Sequence, residues 1–255
     1  MSSESQTTRS PTDQHHWFTT THWSVVLSAR EPSPDSEQAM QALCRAYWPP
    51  LYTYIRRRGY GVHDAQDLTQ DFIAQLLARD FLSAVSRDKG RFRSFLLASL
   101  KNFLASEHQR ATAAKRGGGA QLVPLDADPE ENFLSAEPAT HTTPETIFER
   151  RWAIALMERA FARLREETAT AGKAAQFERL KGYLEADAGR GDYTVAAHDL
   201  KMSSVAVGVA VHRLRRRFGE LIRREIANTV ASPDEIDDEM RHLIEVLGRA
   251  RDESL

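Results

Sequence analysis

Apolar side chains recur at three- and four-residue intervals along most of the chain, and that period predicts helices. Met40, Leu43, Tyr47, Leu51 and Ile55 define one over about 36–58, which Pro49-Pro50 must kink or split and which Gly59 and Gly61 end. Asp64 opens a second, to about Arg79, with Leu68, Phe72, Leu76 and Leu77 inward. A third runs from near Phe92 to about Ala114 on Phe95, Leu96, Leu100, Phe103 and Leu104, and Gly117-Gly118-Gly119 stops it. Further helices are expected at about 145–168, 173–187, 193–200 and 204–224. Ser232-Pro233-Asp234-Glu235 reads as a capping box opening a last amphipathic helix on Ile236, Met240, Leu243, Ile244 and Leu247. No alternating strand pattern and no internal repeat competes, so the chain is expected to be all-α.

The segment from Tyr193 to Phe218 is the most informative. Its first helix should end at Leu200, Lys201-Met202-Ser203 should form a tight turn, and Ser203 or Ser204 can cap the second helix. Ala196 and Ala197 are small enough for a close helix crossing. Val207, Val211, Leu214 and Phe218 form one apolar stripe, which sends Val209, His212, Arg213 and Arg216 to the opposite side. A basic exposed second helix after a tight turn is the helix-turn-helix geometry that enters a DNA major groove, although a helical hairpin with a solvated basic face has the same pattern. Arg213 and Arg216 could read guanine edges or hold phosphates.

Charge sharpens this picture. The net charge of the 255 residues is −2, but it is strongly segregated. Residues 82–118 carry eight basic against two acidic side chains, residues 119–150 one against seven, residues 201–225 seven against two, and residues 232–255 three against eight. Two basic blocks flanking an acidic connector suggest two polyanion-contacting surfaces. The single cysteine, Cys44, can form no internal disulfide and is expected to pack, in a reducing cytoplasm. The polar first sixteen residues resemble neither a signal peptide nor an anchor, and no apolar run could span a membrane.

Asp64, Asp67 and Asp71 share one helical stripe, suited to docking a basic partner; with His63 they are also the one candidate metal cluster, but no metal is expected because one helix face converges few ligands. Arg91 and Arg93 interleave with Phe92 and Phe95, and the helix runs into Arg110, Lys115 and Arg116. Cations neutralise phosphates and aromatics stack on unpaired bases, so this stretch favours an opened DNA strand. Phe95 and Phe103 are expected in the core, with Phe92 freer.

In this order, Asp64-Ala-Gln-Asp-Leu-Thr-Gln-Asp-Phe72, Gly90-Arg-Phe-Arg-Ser-Phe95 and Val205-Ala-Val-Gly-Val-Ala-Val-His-Arg-Leu-Arg-Arg-Arg-Phe218 resemble the extracytoplasmic-function (ECF) group of sigma-70 transcription initiation factors. The resemblance spans about residues 36–230. It implies a disordered lead (1–20), a sigma region 2 bundle (21–116), a flexible acidic linker (117–143), a region 4 helix-turn-helix (144–230) and a helical extension (231–255) expected to pack on region 4 or mask its basic face. Asp64, Asp67 and Asp71 would dock on core RNA polymerase. Lys101, Asn102, His108 and Arg110, with Arg91 and Arg93, would hold the proximal promoter element. Lys201, Ser203, Ser204, His212, Arg213 and Arg216 would read the upstream element. The chain departs from the family pattern at Ala197 and Gly208, and Val205 and Val209 are expected to add little base readout.

The implied function is transcription initiation, without catalysis or cofactor, with core RNA polymerase and promoter DNA as partners. An anti-sigma factor or a Ser/Thr kinase is a further partner class; Thr69, beside the acidic stripe, is the candidate phosphorylation site. The competing reading is a stand-alone helix-turn-helix regulator. A metal-dependent or nucleic-acid-processing enzyme is the third, and no nucleophile elbow, phosphate loop or HExxH site supports it.

Overall fold

A computed structural model describes residues 34–77, 91–113, 128–136, 143–184, 193–230 and 232–252. The amino-terminal lead, Gly90, most of the acidic connector and the Leu77 side chain lie outside the described residues. Every regular element among those described is helical. In chain order they are α1 (Pro34–Arg57), α2 (Val62–Leu77), α3 (Phe92–Ala113), α4 (Asp128–Ala136), α5 (Pro144–Thr170), α6 (Ala174–Leu180), α7 (Thr194–Leu200), α8 (Ser204–Ala227) and α9 (Ile236–Asp252), with single 3-10 turns at Lys181–Tyr183 and Pro233–Glu235. No described helix is long and apolar enough to cross a membrane.

Contacts divide the chain into two compact units, one comprising Met1–Trp152 and Ala227–Leu255, the other Ala153–Ile226. The division falls within α5 and at the end of α8, not in the acidic connector. In the first unit α1 supplies Leu43, Tyr47, Leu51 and Ile55 to the core, as its period requires. Pro49 and Pro50 lie inside one continuous α1, which is not split. The Thr53 hydroxyl donates to the carbonyls of Pro49 at 2.9 Å and Pro50 at 3.2 Å. The inward face of α2 is Ala65, Thr69, Phe72 and Leu76, at i, i+4, i+7 and i+11. Phe72 meets Phe103 of α3 at 5.6 Å, and Tyr47 meets Phe92 edge-on at 5.3 Å. Phe92 is thus fully buried, while Phe95 is only partly so, the reverse of the expectation that Phe92 is the freer ring.

Two elements depart from the sequence reading. Inside the expected linker, α4 pairs with α1 and α5: Arg151 bonds both oxygens of Glu130 at 2.6 and 2.7 Å, and Glu131 takes Arg56 and the Tyr52 hydroxyl at 2.7 Å each. Its acids therefore find buried and half-buried partners rather than water. The extension, expected to pack on the 144–230 module or mask its basic face, falls in the first unit, where it meets Glu149 and Trp152 at the start of that module together with Arg91 and Arg93. Its capping box is formed, with Ser232 Oγ accepting from the Asp234 N–H and Glu235 reaching back to the Ser232 N–H. From α9, buried Glu239 bonds Arg93 at 3.0 and 3.2 Å and pairs with Arg91, while His242 bonds Glu149 at 3.0 Å. Leu243 is buried, but Ile244 is 63% exposed and does not join the apolar face assigned to it.

In the second unit, Leu180, Ala196, Ala197, Val207 and Val211 form one core cluster, and Ala160, Leu164, Phe177 and Leu221 another. Leu214 packs against both. The buried alanines allow the close helix crossing expected from their size.

Candidate nucleic-acid and protein-docking surfaces

The segment expected to be a helix-turn-helix forms α7 and α8, two helices joined by a tight turn. Lys201 leaves α7 with φ 52° and ψ 42°, the left-handed conformation that closes a helix, and the Met202 N–H returns to the Ala197 carbonyl at 2.9 Å. The Ser203 hydroxyl accepts from the Ala206 N–H at 3.2 Å, opening α8 as a capping serine should. With Val207 and Val211 inward, 100° per residue carries Val205, Val209, His212, Arg213 and Arg216 to the far side, and all five are exposed. Arg216 bonds Glu220 at 3.1 Å across one helical turn; Arg213 has no ion-pair partner among the described residues. Ser204 and Lys201 are exposed at the amino-terminal end of the same face.

On α2, Asp64, Asp67 and Asp71 are all exposed and lie opposite the buried Ala65–Thr69–Phe72–Leu76 face. Partial burial, with Glu107 and Asp67 nearby, pushes the Asp71 carboxyl above the ordinary aspartate range. Thr69 is fully buried and its hydroxyl donates to the Ala65 carbonyl at 2.6 Å. The expectation that Thr69 is a phosphorylation site is overturned: in this fold no kinase could reach the hydroxyl.

The residues assigned to the proximal element separate into two groups. Lys101, Asn102, His108 and Arg110 are exposed along α3. Lys101 pairs with Glu145 at 2.7 Å and Arg110 with Glu107 at 2.6 Å, both near solvent. Asn102, Phe103, Ser106 and Arg110 border a cleft of about 160 Å³ against Phe72 and Gln75 of α2. Arg93, by contrast, is buried: Glu149 and Glu239 hold its guanidinium, which lies over the Trp152 ring at 5.0 Å. It is unavailable to a phosphate in this fold, and half-buried Arg91 is drawn to Glu239 as well. The sequence signal for this was weak, since the partner carboxylate lies 146 residues downstream.

Burial pushes the Glu149 carboxyl up, but the His242 hydrogen bond and the Arg93 charge outweigh it and hold the group below the usual glutamate range. Cys44 is half-buried, and burial raises its thiol pKa. Among the described residues no three His, Cys, Asp or Glu side chains converge as a metal site. Comparison with protein-family models, with characterised proteins and with solved structures gives no match.

Proposed function

We propose that this chain is a sigma-70-type initiation factor of the ECF kind: a cytoplasmic, non-catalytic, cofactor-free protein that binds core RNA polymerase and directs it to promoter DNA. The observation that carries the reading is the sorting of charge onto opposite helical faces. Three aspartates share the exposed side of α2, while His212, Arg213 and Arg216 share the exposed side of the second helix of a tight helix-turn-helix. A carboxylate face favours a basic protein partner, and a cationic helix after such a turn favours the major groove. The cleft beside Asn102 and Arg110 offers amide, guanidinium and aromatic groups to an unpaired base, and Lys101 and His108 continue that side of α3.

A stand-alone regulator would use the same α7–α8 pair and leave the α2 carboxylates without a role. The discriminating experiment is co-precipitation of the full chain with purified core RNA polymerase. Wild type is expected to be retained, and the double charge reversal Asp64→Lys, Asp67→Lys to lose at least tenfold in affinity while keeping its helical circular dichroism. Equal retention of both proteins, or of neither, contradicts the proposal.

A further inference from the structure

Five large apolar side chains are exposed among the described residues, and three of them, Val195, Val205 and Val209, belong to the helix-turn-helix. Val205 is 78% exposed and Val209 46%. Neither burial nor helix propensity accounts for a valine at these positions, because β-branched side chains are modestly unfavourable on an exposed helix face. They stand one turn apart, on the same side as His212, Arg213 and Arg216 and opposite the buried Val207 and Val211. Both lie in the first two turns of α8, the part of a recognition helix that meets base edges rather than backbone.

Valine neither donates nor accepts a hydrogen bond. The one apolar group on the major-groove edge of the four base pairs is the C5-methyl of thymine. Four residues of helix rise about 6 Å, close to two base steps at about 3.4 Å each. Two valines are too small a patch for a stable protein interface, and the cations beside them suit a polyanion instead.

We propose that Val205 and Val209 are specificity-determining residues that read thymine methyl groups in the major groove, so that the duplex element selected by this chain carries thymines facing the start of α8. The inference rests on the reading of α7–α8 as a DNA-binding pair, and it assigns to the valines a contact that hydrogen-bond readout alone would not give them.

The test enriches bound duplexes from a random library with the full chain, alone and with core RNA polymerase. Each thymine of the selected sequence is then replaced by deoxyuridine, which removes only the methyl group. Affinity is expected to fall about fourfold per contacted thymine, one buried methyl's worth of transfer energy. In the variant Val205→Ala, Val209→Ala the same replacement should cost less than twofold, while Arg213→Ala should weaken thymine and deoxyuridine duplexes equally. A selected sequence whose affinity is unchanged by deoxyuridine overturns the thymine proposal and leaves the DNA-binding reading standing. Failure to enrich any sequence, with or without polymerase, overturns both.

Discussion

Arg93 shows how far a tertiary partner can redirect a single side chain. Sequence order places it between two phenylalanines in a basic run, where a phosphate contact is the natural expectation. In the fold, Glu239 is wholly inaccessible and Arg93 nearly so, and the Trp152 ring covers the guanidinium. Removing Glu239 strips one of two carboxylates from buried Arg93 and leaves Glu149 on the guanidinium, so the cost falls below that of a wholly orphaned buried charge, at about 1–3 kcal/mol. Glu239→Ala is therefore expected to lose about that much in urea unfolding. Glu149 adds a pH dependence. Its folded carboxyl titrates below the ordinary range, so on acidification the unfolded chain takes up the proton first. The stabilisation is complete at neutral pH, above the unfolded glutamate's ordinary pKa, and drains away as pH falls through that value toward the lower folded one. A series of urea midpoints from pH 7 to pH 3 should show a shallower acid loss for Glu149→Gln than for wild type.

Helices with one clean apolar period were legible from the pattern alone. The buried sets of α1 and of the α7–α8 pair follow their spacing, and the Ser232 capping box is formed as its residues imply. Thr69 was misplaced because hydrophobicity weighted Leu68, whereas the spacing of Ala65, Phe72 and Leu76 puts a threonine on the inward face once its hydroxyl can bond the i−4 carbonyl. What stayed hidden in α4 is of another kind. Three of its nine residues are acidic and one is Pro129, and it is Arg151, Arg56 and Tyr52, distant in sequence, that give its glutamates a reason to be held in place. The α7–α8 turn carries a cost of its own: Lys201 is the one non-glycine residue at positive φ among those described. An L side chain there costs about 1–2 kcal/mol. Lys201→Gly is expected to raise the melting temperature by a few degrees, by relieving about 1 kcal/mol of that strain. If Lys201 also contacts a phosphate, the log–log salt slope of DNA binding should fall by about one. Melting curves and salt titrations separate the two effects.

Over the whole chain, the broad sorting of charge was visible in the sequence and its internal use was not. The described part of the basic block, residues 91–113, is only partly a free surface, because α9 answers Arg91 and Arg93 from within the same unit, whereas Lys101, Asn102, His108 and Arg110 are exposed. The acidic tail is likewise partly consumed in folding. Among the described residues the carboxylate face of α2, the exposed stretch of α3 and the cationic face of α8 remain outward, and the proposal that the protein programmes RNA polymerase depends on these three acting together. Run-off transcription with purified core RNA polymerase on a promoter library tests it most directly. The account predicts discrete start sites that appear only when the chain is added and vanish with Asp64→Lys, Asp67→Lys. Start sites identical with and without the chain, or undiminished by the charge reversal, would contradict it.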